Sequence, residues 1–316
     1  MKTNLLVLSV FALALISSCK SGRHNPFDQD YSADIKDVLI LEAAPPAPEI
    51  SDTDSVKKVE AKTLVLYYSQ TDNTKTVAEE IRACLNADIE AIEAVVPYDG
   101  DFQATIERSG KEREEGVLPE IKPIAHNIAE YDVIFLGYPV WFGTYAPPVA
   151  TFLNQVDLAG KKVVPFCTFG SGGLDSSVKD LKAKQPNAEI LPGYGVRAAR
   201  LAKAEDEIDR FLKENHFIEG EVVKLEEFPK PHPVTKEEAT VFDAAVDGYP
   251  MLSAKAESVA MRTIPGGKEY LFTAVPKAAP KAAQKDNARP PMPMNPLKVY
   301  VTVFDGQQPE FTQVIR

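Results

Sequence analysis

Between residues 61 and 216 the chain alternates two hydrophobic periods. Short apolar runs rich in strand formers occupy Thr63–Tyr68, Asp88–Ala94, Val133–Gly137, Lys162–Thr168 and Ala188–Val196. Amphipathic stretches between and after them predict helices over Asn73–Leu85, Tyr145–Gln155, Leu174–Lys184 and Lys203–Asn215. Runs such as Val133-Ile134-Phe135-Leu136 are apolar without alternation, which suits strands covered on both faces. Strands alternating with helices predict an α/β domain over 61–216, a parallel sheet with helices on both sides.

The flanks read differently. Residues 228–316 open on a helix, with Thr235-Lys236-Glu237-Glu238 as a capping box and Ala239, Phe242, Ala245 and Val246 on one face. Strand patterns follow at Ser258–Ile264, Glu269–Val275, Leu297–Phe304 and Phe311–Ile315, which predicts a small antiparallel α+β domain. A proline-punctuated hinge at 226–233 leads into that helix, and a stretch without pattern fills 277–296. At the other end, Lys2, the apolar run Leu5–Ile16 and Ile16-Ser17-Ser18-Cys19 form an export signal over 1–19, too short to span a bilayer. Its last four residues resemble the bacterial lipobox. That resemblance implies lipid on Cys19 and a membrane-anchored place in the cell envelope, with Lys20 pointing to the outer membrane. Residues 20–60, with Ala43-Ala44-Pro45-Pro46-Ala47-Pro48, read as a tether, with room for one short element at 34–41.

Charge and cysteine content narrow the options. A formal net charge of −11 excludes a polyanion such as nucleic acid as the expected partner. Cys19, Cys84 and Cys167 make no disulfide framework, and Cys84 and Cys167 read as separate buried thiols. His24, His126, His216 and His232 show no metal-ligand spacing.

Three stretches carry candidate chemistry, each at the end of an expected strand. In Ser69-Gln70-Thr71-Asp72-Asn73-Thr74 a strand empties into a hydroxyl-rich turn and a helix begins at once. Unpaired amides at the helix start, with the hydroxyls of Ser69, Thr71 and Thr74, suit a phosphate monoester. Gly137-Tyr138-Pro139-Val140-Trp141-Phe142-Gly143-Thr144 holds the chain's only tryptophan, a flat face for an aromatic ring to stack on. In Phe166-Cys167-Thr168-Phe169-Gly170-Ser171-Gly172-Gly173 the glycines allow backbone amides to come close to a ligand.

In this order, the three motifs resemble the flavodoxin family. The resemblance implies a doubly wound five-stranded parallel sheet of order 2-1-3-4-5 and an FMN site at the carboxyl ends of its strands. Carried over residue by residue, it assigns Ser69, Gln70, Thr71, Asn73 and Thr74 to the phosphate. Pro139, Val140, Trp141, Phe142 and Gly143 fall to one side of the flavin ring, and Thr168, Phe169, Gly170, Gly172 and Gly173 to the other. Asp72 departs from the pattern, because the family places glycine there. Facing a phosphate dianion from about 6 Å, its carboxylate costs over 5 kcal/mol at an effective dielectric of about 20, but only about 1.4 kcal/mol if it faces water. A third possibility is that Asp72 caps the helix and fills the anion site itself.

More faintly, residues 235–316 resemble the cystatin-like fold, through Met261-Arg262-Thr263-Ile264-Pro265-Gly266-Gly267-Lys268-Glu269-Tyr270 and Val299-Tyr300-Val301-Thr302-Val303-Phe304-Asp305-Gly306. Arg262 and Pro265 depart from that family's hairpin, and Pro265-Gly266-Gly267 also fits a simple turn. The expected function is that of an FMN-binding electron-transfer lipoprotein, exchanging electrons with a redox protein or a membrane quinol. The alternatives are an FMN-dependent quinone reductase and a flavin-free binding or scaffold lipoprotein that contacts a protein or protease through its C-terminal module.

Overall fold

The computed structural model describes residues 61–98, 101–249, 252–277 and 295–315. The export signal, Cys19, the tether, the element expected within 34–41 and most of the patternless stretch at 277–296 lie outside these residues. Residues Ala61–Arg316 belong to one compact unit. Among the described residues no helix is long and apolar enough to cross a membrane.

The first sheet is built on β1 (Thr63–Tyr67), flanked by β2 (Asp88–Ala91) and β3 (Val133–Trp141), with β5 (Lys162–Phe169) beyond β3, all parallel. A short β4 (Thr144–Tyr145) folds back on β3. The fifth position is shared by β6 (Glu189–Ile190) and β7 (Tyr194–Arg197), both parallel to β5. The expected order is therefore present, but the strand expected at Ala188–Val196 is broken in two. Pro165 on β5 and Pro192 between β6 and β7 each lack an amide hydrogen, so the ladder cannot close there.

Helices cover both faces. Val77, Ala78 and Ile81 of α1 (Asn73–Leu85) and Ile208 and Leu212 of α5 (Ala204–Glu214) close over Val65, Phe135, Val164 and Phe166. On the opposite face Val149 and Phe152 of α3 (Pro147–Gln155) and Leu181 of α4 (Leu174–Lys184) cover Leu64, Leu66, Ile134 and Leu136. The spacing i, i+1, i+4 in α1 is a helical stripe, and burying its Val and Ile side chains stabilises the fold by about 1.5–3 kcal/mol each. Ile81→Asp would break that contact.

Other elements differ from expectation, among them β2, which ends at Ala91 rather than Ala94. The helix expected from Tyr145 starts at Pro147, a residue suited to the first helical turn, because Thr144 and Tyr145 pair with β3 instead. The last helix of this region starts at Ala204, after a 3-10 turn over Ala198–Lys203. A helix not expected at all, α2 (Phe102–Glu115), lies between β2 and β3. Its buried residues are Thr105 and Ser109, so no apolar stripe marks it. Its ends do: Asp101 accepts a hydrogen bond from the Ala104 amide, and Gly116 closes it at φ 66°.

The second sheet is antiparallel, in the order β12-β11-β10-β9-β8. Its strands are β8 (His232–Pro233), β9 (Ala254–Ile264), β10 (Gly267–Pro276), β11 (Leu297–Phe304) and β12 (Glu310–Ile315). The expected hinge thus contributes an edge strand. Helix α6 (Lys236–Val246) starts with the expected capping box on Thr235 and Glu238, and its Phe242 meets Phe272 at 5.1 Å between ring centres. Ile264 pairs with Gly267, so Pro265-Gly266 is a two-residue turn, with Gly266 at φ 69°. Arg262 pairs across that hairpin with Glu269 at 2.6 Å.

Candidate functional site

Because β1, β3 and β5 are adjacent and parallel, the segments that follow them emerge on one edge of the sheet. The first, Ser69–Thr74, runs straight into α1. The Asp72 carbonyl accepts both the amide (2.8 Å) and the hydroxyl (3.0 Å) of Thr76, so the amides of Asn73, Thr74 and Lys75 have no acceptor within the helix. Asp72 has φ 61° and ψ −3°, the left-handed conformation a glycine takes easily. Its exposed side chain makes no capping hydrogen bond, so the carboxylate does not fill the helix start. The Ser69 hydroxyl is buried and has no hydrogen-bond partner. Gln70 is tied down by bonds to the Tyr98 carbonyl (3.1 Å) and the Thr105 hydroxyl (2.6 Å). Thr74 and Thr168, both buried, share a hydroxyl bond of 2.9 Å that links this loop to the end of β5.

The second segment is a hairpin rather than a loop. Strand β3 continues through Pro139, Val140 and Trp141, and Trp141 pairs with Thr144. The two turn residues, Phe142 (φ 51°) and Gly143 (φ 82°), both have positive φ, as a type I′ turn requires. Phe142 is a bulky residue in a conformation that costs about 1–2 kcal/mol, and it is 44% exposed. Trp141 is half-buried and meets Tyr68 at 5.9 Å and Tyr98 at 5.1 Å, edge to face. Burial pushes both tyrosine hydroxyls well above their ordinary range. Tyr98 is further held by the Arg108 guanidinium, 3.8 Å over its ring, and by a hydrogen bond from its hydroxyl to Glu112.

The third segment, Gly170–Gly173, lies against both the hairpin and the second sheet. Ser176 donates to the Gly143 carbonyl at 2.5 Å, and a Cβ on Gly173 would stand 2.5 Å from the Val140 side chain. The Val314 amide of β12 donates to the Ser171 carbonyl at 2.6 Å. Arg197 donates to the carbonyls of Gly170 (3.0 Å) and Phe311 (2.8 Å).

These segments enclose a cleft of about 730 Å³. Of the residues expected to bind a ligand, Gln70, Val140, Trp141, Phe142, Gly143, Gly170, Gly172 and Gly173 line it. Ser69, Thr71, Asn73 and Thr74 form the adjoining turn and helix start. Pro139, Thr168 and Phe169 do not reach the cleft: Pro139 and Thr168 face each other in the ladder, and the Phe169 ring packs where a Cβ on Gly195 would sit. Sequence reasoning missed Phe102 and Ile106 of α2, and Tyr249, Gln313, Val314 and Ile315 of the C-terminal region. Phe102, 80% exposed, was the one legible signal, an apolar residue directly after a helix cap.

Cys167 is fully buried, and burial pushes its thiol far above the ordinary range. Cys84 is only half-buried and packs on the opposite face of the sheet, so the two thiols do not meet. Among the described residues no group of His, Cys, Asp and Glu could hold a metal ion. His126 and His232 instead pair with Glu90 (2.6 Å) and Glu238 (2.9 Å).

Residues 62–215 match the family model described as Flavodoxin. Among solved structures, a protein of Bacteroides eggerthii DSM 20697 named as a candidate flavoprotein is 31% identical, over 47% of this chain and 98% of its own, with a TM-score of 0.41. A candidate flavoprotein of Bacteroides uniformis ATCC 8492 is 27% identical, over 47% and 98% of the two chains, with a TM-score of 0.43. A flavoprotein of Lactobacillus acidophilus NCFM, solved in complex with FMN, is 25% identical over 45% and 97%, with a TM-score of 0.40. Through residues 62–215, this chain belongs to the flavodoxin family.

Proposed function

We propose that the protein binds FMN, its phosphate at Ser69–Thr74 and its ring in the cleft between Trp141 and Gly170–Gly173, and that it acts as an electron carrier. Membership of the flavodoxin family supports a flavin. The observation that carries the reading is the meeting of three segments, from the carboxyl ends of β1, β3 and β5, around one cleft.

The residues fit the group. The buried Ser69 hydroxyl lacks a partner, and a phosphate oxygen would supply one. The free amides of Asn73, Thr74 and Lys75 and the positive end of α1 favour an anion at the same place. The cleft volume of about 730 Å³ falls within the range of about 300–1,000 Å³ usual for ligand pockets. Exposed as it is, the Asp72 carboxylate lowers affinity for a dianion by about 1.4 kcal/mol at about 6 Å, near tenfold rather than the four decades a facing carboxylate costs.

Bound flavin supplies one- and two-electron transfer, so no side chain is required as a covalent catalyst. The chain's residues bind and orient. Trp141, already locked by Tyr68 and Tyr98, offers the ring a face that needs little ordering on binding, and the glycine segment brings backbone amides to the ring edge. The electron partner in this reading is a redox protein or a membrane quinol. The net charge of −11 would steer a basic partner, and a lipid on Cys19 would hold the protein at the membrane. Titration of the purified protein with FMN, followed by desalting and by Trp141 fluorescence, tests the cofactor. Retained yellow colour with quenched tryptophan is expected, and a colourless product with unquenched tryptophan refutes it. Intact mass of the membrane-extracted protein tests the anchor, which is rejected if residues 1–19 remain or no acyl mass is added.

A further inference from the structure

The ring cleft has a wall that the flavodoxin segment does not supply. Tyr249, Gln313, Val314 and Ile315 line it from the C-terminal module. The contact is close and directional. The Val314 amide bonds the Ser171 carbonyl at 2.6 Å, and a Cβ on Gly172 would stand 2.3 Å from the Val314 carbonyl oxygen. At Gly170 the Tyr249 hydroxyl is 3.5 Å from where a Cβ would lie.

A polar dock beside the cleft fixes this arrangement. Arg197, on β7, holds the carbonyls of Gly170 in the ring segment and Phe311 in the module with one guanidinium, which also lies 3.6 Å over the Phe311 ring. Arg200, its side chain only 6% exposed, bridges Glu207 of α5 (2.7 Å) and Glu310 of β12 (3.1 Å), and Lys203 adds a second bond to Glu310 at 3.2 Å. A planar fork shared between two carbonyls is a positional device, since each bond restrains the other.

We propose that the C-terminal module is an integral part of the flavin-ring site. Gln313 contacts the ring, and Arg197 is the positioning residue that holds the Gly170–Gly173 segment and β12 in register. This rests on the FMN reading above. The chemistry suits the ligand: an isoalloxazine has an apolar ring edge and an edge of alternating donors and acceptors. Tyr249, Val314 and Ile315 provide apolar cover, whereas the Gln313 carboxamide offers a donor and an acceptor together. The ring's surroundings, and with them its visible spectrum, therefore depend on residues outside the family segment.

The test is FMN titration of the full chain and two variants, read by dissociation constant and by the visible bands of the bound flavin, with circular dichroism as the check on folding. Gln313→Ala, which alters a half-exposed side chain, should weaken binding by about tenfold, the scale of one lost hydrogen bond, and shift the bands. Arg197→Gln should weaken binding by about as much and broaden the bands, although it touches no ligand. If the wild type binds FMN and both folded variants match it within about twofold with unchanged spectra, the module is no part of the ring site and the proposal falls, while the FMN reading stands. If the wild type does not bind FMN, both fall together.

Discussion

The hairpin at Trp141 and the segment Gly170–Gly173 lie side by side at the cleft, but they are held in different ways. The hairpin is held mainly by strand pairing and aromatic packing, with one bond from Ser176 of α4 to the Gly143 carbonyl. Strand β3 runs on through Trp141, the Phe142-Gly143 turn closes on β4, and the indole is packed by Tyr68 and Tyr98 from the same sheet region. The glycine segment has no such internal support. It has few side chains to pack, and its carbonyls are held from outside, at Gly173 by Ser176, at Gly170 by Arg197 and at Ser171 by the Val314 amide. A platform fixed by pairing thus adjoins a segment whose shape is set by contact, and the second sheet acts on the cleft through that segment. Changes on the hairpin side should leave the second sheet in place, whereas changes at the module should be felt in the glycine segment.

The largest effect is expected from Arg200→Met. Removing a buried guanidinium leaves Glu207 and Glu310 without their shared partner, which should cost about 3 kcal/mol in denaturant unfolding, at the low end for a buried pair because both carboxylates are partly exposed. Amide exchange of Val314 should rise while residues 140–145 stay protected. Equal loosening of both would show that the hairpin depends on the module as much as the glycine segment does. Thr235→Ala removes the α6 capping box and should destabilise the module by about 1 kcal/mol without altering the hairpin, as a thermal melt read with Trp141 fluorescence would show.

Acid should act on the module through the same cap. Burial raises the Glu238 carboxyl, but the Thr235 amide, His232 and the Thr235 hydroxyl outweigh it and hold it below the ordinary carboxylate value. A group lowered in the folded state stabilises above its unfolded value and stops doing so as pH falls through the folded value. The cost of Glu238→Gln should therefore be present at neutral pH and shrink on acidification, and a cost that grows toward acid would contradict the assignment. The smallest stability effect is expected on the platform. Phe142→Gly relieves the positive φ and should raise stability by about 0.5 kcal/mol, while weakening FMN binding through loss of an apolar ring from the cleft.

Much of this was legible in the sequence where local chemistry decides. Helices α1 and α4 were readable to the residue because each begins at a turn directly after a buried strand, and Asn86 and Gln185 follow them. That the segments after β1, β3 and β5 gather at one cleft was readable from residue types at strand ends. Helix α2 was not, because the side chains it buries are Thr105 and Ser109 and only its caps declare it. The extension of β3 was hidden by Pro139, which reads as a breaker but sits in the ladder opposite Thr168. Asp72 looked like an obstacle because charge was visible and φ was not; the backbone there takes the glycine conformation and the carboxylate faces solvent. The wall formed by Tyr249 and Gln313 left no local trace, since it exists only once two distant sheets meet.

The most direct test of the account is FMN titration of the wild-type protein beside Asp72→Gly, with Trp141 fluorescence and visible absorbance read together. Saturable one-to-one binding with quenched tryptophan is expected, with about tenfold tighter binding when Asp72 is replaced. A protein that stays colourless and fluorescent with either residue at position 72 would contradict it.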